Sequence, residues 1–261
     1  MEPVLELEQV SIQFGGLKAV SDVDLRVESQ ELVGLIGPNG AGKTTIFNLI
    51  TGVYEPTNGT LRYLGAPMHA PTHRLAQMGI ARTFQNIRLF GQLTVLENVL
   101  IAMHGHVSYG WFDAMLRTPR YWRTEAAMEE EAIALLRRFG LETHAQDQAR
   151  NLPYGSQRLL EIARALAVHP KLLLLDEPAA GMNAQESADL VQLIRTVAHD
   201  FDLAVLLIEH DMSVVMNLCE RIYVLDYGAV IAQGPPEEIR QNPKVIEAYL
   251  GEEAEQAIAD H

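Results

Sequence analysis

Residues 37–44 read Gly37, Pro38, Asn39, Gly40, Ala41, Gly42, Lys43, Thr44, with Thr45 following. The pattern is G-x-x-x-x-G-K-T. Its glycines let backbone N–H groups converge on phosphate oxygens where a Cβ would stand in the way. Lys43 is placed to reach the β- and γ-phosphates of a nucleotide, and Thr44 to offer a hydroxyl to Mg²⁺. At average residue usage the four fixed positions match by chance in such a chain at odds of about 1 in 100. The context lowers those odds: an apolar run, LVGLI at 32–36, precedes the loop, and a helical pattern starts at Lys43.

A second cluster follows the run Leu172, Leu173, Leu174, Leu175, which delivers Asp176 and Glu177 to a strand end. Adjacent strand residues point to opposite sides, so the two acids cannot share one role. Asp176 suits a Mg²⁺ partner, directly or through water. Glu177 suits a general base that polarises an attacking water. A third apolar strand, around 203–208, ends in Glu209, His210, Asp211 and brings His210 to the same rim, near a γ-phosphate. The remaining histidines read as surface or core residues. His69 and His73 are flanked by prolines and make a poor metal pair, and His104 with His106 makes a weak one.

These side chains need a scaffold, and the hydropathy pattern supplies one. Alternation at Val23, Leu25 and Val27, and less cleanly over 4–14 with a turn at Gly15 and Gly16, predicts an antiparallel β layer. Apolar strands alternating with helices, one over about 185–199, predict a parallel sheet covered on both faces. The fold class is therefore α/β, a P-loop NTPase core with an antiparallel β subdomain and an inserted helical subdomain; the family resemblance described below implies that this core is RecA-like. The expected division is a single domain over 4–250, with 4–94 and 149–250 as nucleotide-binding core and 95–148 as the helical subdomain. Residues 236–250 read as two short helices and 251–261 as an acidic tail. Tyr109, Trp111, Phe112, Tyr121 and Trp122 concentrate aromatics in the stretch 104–123; they read as a small satellite core in preference to an interaction face.

With 261 residues, 48% hydrophobic and 21% charged, the chain has the composition of a globular protein. A net charge of -14 leaves no electrostatic footprint for sequence-independent nucleic-acid binding. The one cysteine, Cys219, excludes an intrachain disulfide and a cysteine-rich metal site. No apolar run reaches the roughly 18 residues of a membrane helix, and the N-terminus lacks a signal-peptide pattern. The chain is expected to be soluble and to reach a membrane only on a partner.

Taken in order, these pieces resemble an ATP-binding cassette (ABC) ATPase over about residues 4 to 250. The resemblance implies that Phe14 stacks on adenine, and that Gln85, in ARTFQNIRLF, meets Mg²⁺ and the attacking water. It makes Asp176 and Glu177 the Walker B pair and His210 the switch histidine. The segment NLPYGSQRLLEIARAL at 151–166 stands for the signature, whose usual core is LSGGQ: Leu152 and Gly155 match, while Pro153, Tyr154 and Ser156 differ, with Gln157 following. Pro153 has neither a hydroxyl nor a backbone N–H. Asn183 stands where the family usually has aspartate. LPYG with EIARAL, LDEPAAGMN and VIEAYLG, with the long insert near 104–123, resembles the ATPase subunits of bacterial high-affinity branched-chain amino-acid importers.

That resemblance implies ATP and Mg²⁺ as cofactors, and a second ABC ATPase subunit, the same or different, as partner. It also implies two integral membrane permease subunits, an indirectly linked periplasmic solute-binding protein, no nucleic acid, and a peripheral place on the cytoplasmic face of the inner membrane. Residues 87–97, with Leu89, Phe90 and Leu93, would form the groove that meets the permease. If this chain pairs with a cassette carrying an intact signature serine, the two composite ATP sites would be unequal. Alternatives are the ATPase of a urea, amide or lipopolysaccharide-export system, a soluble non-transport cassette, a P-loop kinase, and a module that binds without hydrolysis. Glu177 and His210 speak against the last, and no lid or acceptor pocket supports a kinase.

Overall fold

The computed structural model describes residues 3–68, 71–106 and 111–250, the side chains of His106 and Trp111 excepted. His69, Tyr109 and the acidic tail therefore lie outside the described residues. Along the chain, β1 (Leu5–Phe14) and β2 (Leu17–Val27) form an antiparallel hairpin, and β3 (Leu32–Ile36) runs into α1 (Lys43–Ile50). Strands β4 (Asn58–Tyr63) and β5 (Ala66–Pro67) come next, then α2 (Leu75–Met78) and β6 (Ile80–Arg82). The middle of the chain is α3 (Val95–Met103), α4 (Trp111–Leu116), α5 (Pro119–Arg138) and α6 (Tyr154–Leu166). The last third is β7 (Leu172–Asp176), α7 (Ala184–Asp200), β8 (Ala204–Ile208), α8 (Met212–Leu218), β9 (Arg221–Asp226), β10 (Ala229–Gly234) and α9 (Pro236–Arg240), with further helix over 243–250.

Two compact units result: Met1–Leu75 with Lys171–His261, and Ala76–Pro170. In the first, alternation in β2 buries Val20, Val23, Leu25 and Val27 on one face of an antiparallel sheet in the order β2-β1-β4-β5. The second sheet of this unit runs β10-β9-β3-β8-β7. Strands β9, β3, β8 and β7 are parallel and β10 is antiparallel. Every residue of β3, β7 and β8 is buried, as expected of strands covered on both faces. A fully buried Leu, Ile or Val side chain contributes about 1.5–3 kcal/mol, so these three runs anchor the unit. Gly34 in β3 packs closely: a Cβ there would stand 3.0 Å from the Cys219 sulfur, which would have to give way.

The second unit is helical around α3, α5 and α6. Thr118 caps α5, Pro119 opens it, and Met128, Ala132, Leu135 and Leu136 form its buried stripe at helical spacing. α3 carries a capping box from Thr94 and Glu97 and buries Val95, Leu96, Val99 and Met103. The unit is wider than the stretch 95–148 read from the sequence, because the segment before α3 is stitched to the one after α5. Thr94 bridges Gln148, and the N–H groups of Ala149 and Arg150 donate to the carbonyls of Leu93 and Gly91.

Among the described residues the aromatic stretch shows no satellite core; Tyr109 and the Trp111 side chain lie outside them. Phe112 and Trp122 are 60% and 56% exposed. Tyr121 meets Trp122 edge to face at 5.4 Å, and the Arg117 guanidinium lies 5.9 Å from the Trp122 ring. The six-residue α4 is too short to close a cover over them. Among the described residues no helix is long and apolar enough to cross a membrane.

Candidate functional site

The register of the parallel strands builds the site. Leu35 of β3 and Asp176 of β7 both pair with Ile208 of β8, so β7 and β8 end level and β3 runs one residue further. Gly37, Glu177 and Glu209 are the first residues past those ends and share one rim. The carboxyl edge of a parallel sheet is where α/β folds hold ligands.

The loop 37–42 gets its shape from three left-handed glycines. Gly37 (φ +148°), Gly40 (φ +78°) and Gly42 (φ +104°) adopt conformations that side chains disfavour. A Cβ on Gly37 would fall 2.1 Å from the Leu225 carbonyl oxygen, whereas one on Gly40 would meet nothing within 4 Å. The Ala41 carbonyl accepts from Gly228, which fastens the loop to the turn between β9 and β10. Gly42 caps α1, whose Ile46, Phe47, Leu49 and Ile50 are buried, so the helix start faces the loop. The Lys43 ammonium donates to the Gly37 and Pro38 carbonyls at 2.6 and 2.8 Å and so lies along the loop. Thr44 is exposed at the first turn, Thr45 partly so. A glycine-rich loop that leads into a helix N-terminus, with an ammonium lying along it, is an arrangement that can hold an anion.

On the facing strands Asp176 is 6% exposed at the end of β7. Glu177 follows with φ +48°, a left-handed conformation for a residue that has a Cβ. Its N–H donates to the Ile208 carbonyl and its own carbonyl accepts from Ala180. Such strain costs on the order of 1–3 kcal/mol and persists only where neighbours enforce it. The Glu177 carboxylate lies 3.7 Å from the His210 Nδ1. His210 keeps a 66% exposed side chain.

Glu209, noticed in the sequence only as a neighbour of His210, is the fastener of this rim. Its side chain is fully buried. Oε1 accepts from the Ala179 N–H at 2.9 Å, and Oε2 accepts from the N–H groups of His210 and Asp211 at 3.0 and 3.2 Å. One carboxylate thus ties the turn after Glu177 to the turn that bears His210. Asp211 in its turn caps α8 by accepting from Ser213 and Val214. Asn183 caps α7 in the same manner, with a full capping box to Glu186, so asparagine does locally what the usual aspartate would do.

Phe14 closes β1 with 43% of its surface exposed, and Tyr54 meets it edge to face at 5.0 Å. Phe14, the 37–45 loop, Asp176, Glu177 and His210 all belong to the first unit. Gln85 and the 152–157 segment belong to the second unit. Gln85 is exposed, between Phe84 and the loop running to Phe90. Leu152 is buried, and α6 starts at Tyr154 with Pro153 at the N-cap, where no side chain caps the helix. The carbonyls of Leu152 and Pro153 accept from the side chain and the N–H of Gln157, and Gly155 and Ser156 lie in the first turn.

The donors suit magnesium and not an all-protein metal cage. Among the described residues no group of three or more His, Cys, Asp or Glu could hold a metal ion. A hydroxyl and a carboxylate beside a phosphate cradle is the oxygen set that Mg²⁺ takes when nucleotide phosphates supply other ligands.

A family model described as ABC transporter matches residues 20–180, and one described as branched-chain amino acid ATP-binding cassette transporter matches residues 229–255. The chain is 48% identical over 252 residues to the high-affinity branched-chain amino acid transport ATP-binding protein LivG of Escherichia coli (strain K12), covering 96% of this chain and 99% of that protein. It is 35% identical over 251 residues to the lipopolysaccharide export system ATP-binding protein LptB of Haemophilus influenzae, covering 96% and 98%. A crystal structure of the ADP conformation of an ATP-binding cassette of an ABC transporter matches with a TM-score of 0.84 at 30% identity, covering 96% of this chain and all of that one.

Proposed function

Because the chain belongs to the ABC transporter family and is one of its ATP-binding cassettes, we propose that it is the ATP-hydrolysing subunit of an importer of branched-chain amino acids. The observation that supports this reading is the register of β3, β7 and β8, whose carboxyl ends carry the 37–42 loop, Asp176 with Glu177, and His210, in a chain 48% identical to a branched-chain amino-acid cassette.

Phe14, steadied by Tyr54, takes the adenine ring. The amides of the 37–42 loop and the Lys43 ammonium bind the phosphates. Thr44 and Asp176, with Gln85 assigned from the family pattern, would hold Mg²⁺, which when bound neutralises charge on the phosphate oxygens. Glu177 takes a proton from the attacking water and His210 donates to a γ-phosphate oxygen. Gln85 orients that water.

The working form is a dimer of cassettes in which ATP lies on the loop of one and under the 152–157 segment of the other. Nucleotide closes the pair because it binds the closed state better than the open one, and hydrolysis lets the halves part. Two permeases at the cytoplasmic face of the membrane follow this motion through residues 87–97, and a periplasmic solute-binding protein delivers the solute. With Pro153 at the N-cap, the pocket served by this chain's signature grips phosphate less well than one served by a serine.

Uptake of labelled leucine by vesicles holding this chain, its neighbouring permeases and their binding protein tests the reading. ATP-dependent leucine uptake that ceases with Lys43→Ala is the expected result. Uptake of urea or amides alone, or release of lipopolysaccharide, would assign the chain to a sister system, and absence of any permease partner to a soluble cassette.

A further inference from the structure

Arg158 is among the largest fully buried side chains in the molecule. It sits in the second turn of α6, and four acceptors meet its two terminal nitrogens. Nη1 donates to the Phe84 carbonyl at 2.6 Å and to Glu161 Oε2 at 3.1 Å. Nη2 donates to the Gln85 carbonyl at 2.7 Å and to the Tyr154 hydroxyl at 3.3 Å. Glu161, 2% exposed, turns its other oxygen to the Arg88 N–H at 3.2 Å. The Arg88 guanidinium then folds back over the Phe84 ring, 4.1 Å from its centroid. Main-chain groups on both sides of Gln85 are therefore gripped by one ion pair on one helix.

Water would satisfy the carbonyls of an exposed loop at no cost in buried charge. An arginine and a glutamate withdrawn from solvent for that purpose give the loop a fixed place, which water cannot do. The helix that supplies them opens directly after Leu152 and Pro153. Planarity matters too, since a guanidinium reaches two successive carbonyls in a fork that an ammonium cannot copy.

We propose that Arg158 and Glu161 are positioning residues for hydrolysis: they lock the main chain about Gln85 to the helix headed by the signature, so that Gln85 and the signature shift together. This rests on the reading of Gln85 as the water-orienting side chain.

Phosphate release by the full-length chain, with Arg158→Lys and Gln85→Ala made singly and together, tests it. Arg158→Lys should lower kcat on the order of tenfold while KM for ATP stays within about twofold, since an ångström of misplacement is enough for such a loss. In the Gln85→Ala background the same change should alter kcat by less than about twofold, because the group it acts through is gone. An equal tenfold loss in both backgrounds overturns the proposal, as a merely structural role predicts that additivity. Should the lysine variant fail to fold, Arg158→Met with Glu161→Met keeps the packing volume without the charges and runs the same cycle. Parental turnover in that pair overturns the proposal. Parental turnover in Gln85→Ala alone overturns the reading of Gln85 itself and the clamp with it, a result distinct from additivity.

Discussion

Glu209 in the first unit and Arg158 in the second are both charged side chains closed off from solvent beside a loop, yet they are satisfied in opposite ways. Glu209 collects three backbone N–H groups, two of them from the residues immediately after it. Arg158 collects backbone carbonyls more than 70 residues away in sequence and needs Glu161 as counter-charge. The first arrangement is local and follows from strands that already end level. The second depends on side chains to hold the loop that leaves β6: Arg158 and Glu161 at its start, and Asn98 at Phe90. The chemistry of the rim thus rides on main-chain architecture, while the placement of the second unit's loop is delegated to side chains, among them an ion pair that one substitution removes.

The contrast can be broken at the rim itself. Glu177→Gln should cut phosphate release on the order of 10³-fold and leave nucleotide binding intact. A parental rate would mean that the rim does not supply the base. Arg158→Met alone strands Glu161 as a buried charge, and unfolding free energy should fall by about 3–5 kcal/mol; a denaturation midpoint equal to the parent's would show the clamp to be dispensable. Glu209→Ala should cost less, roughly 2–3 kcal/mol for its orphaned amides, because strand pairing still holds both turns. If it proves the more damaging of the two in urea melts, the rim is not fixed by its sheet. Pro153→Ser gives α6 the cap it lacks, and about 0.5 kcal/mol of added stability is expected once proline's stiffening of the unfolded chain is lost. Smallest is the effect at Cys219, whose thiol burial pushes up to about 12. It should stay unmodified by a thiol reagent at pH 8 in the native chain and react fully in denaturant.

The loop before α1, the buried strands with the acids at the end of β7, and the stripe of α5 are legible, because each leaves a local pattern: a spacing, an apolar run, a period. Glu209 and Arg158 are not. What sets them apart is burial and bonding decided by register between distant strands and by the path of residues 83–94, and neither leaves a mark on adjacent residues. β10 is partly exposed along its length and never alternates, so it carries no period to read. Among the described residues the aromatic stretch misled because composition gives the means for a core without the neighbours that would close it. The links that tie residues 91–94 to 148–150 leave no trace for a related reason: they are main-chain bonds, to which hydropathy is blind.

Glu177 holds its place against the preference of its own backbone. Glycine would sit there at ease, so the chain gives up a little resistance to unfolding in order to keep a carboxylate in that posture. Glu177→Gly should therefore firm the fold against unfolding while removing the base proposed for hydrolysis, so that stability and turnover pull this one position in opposite directions.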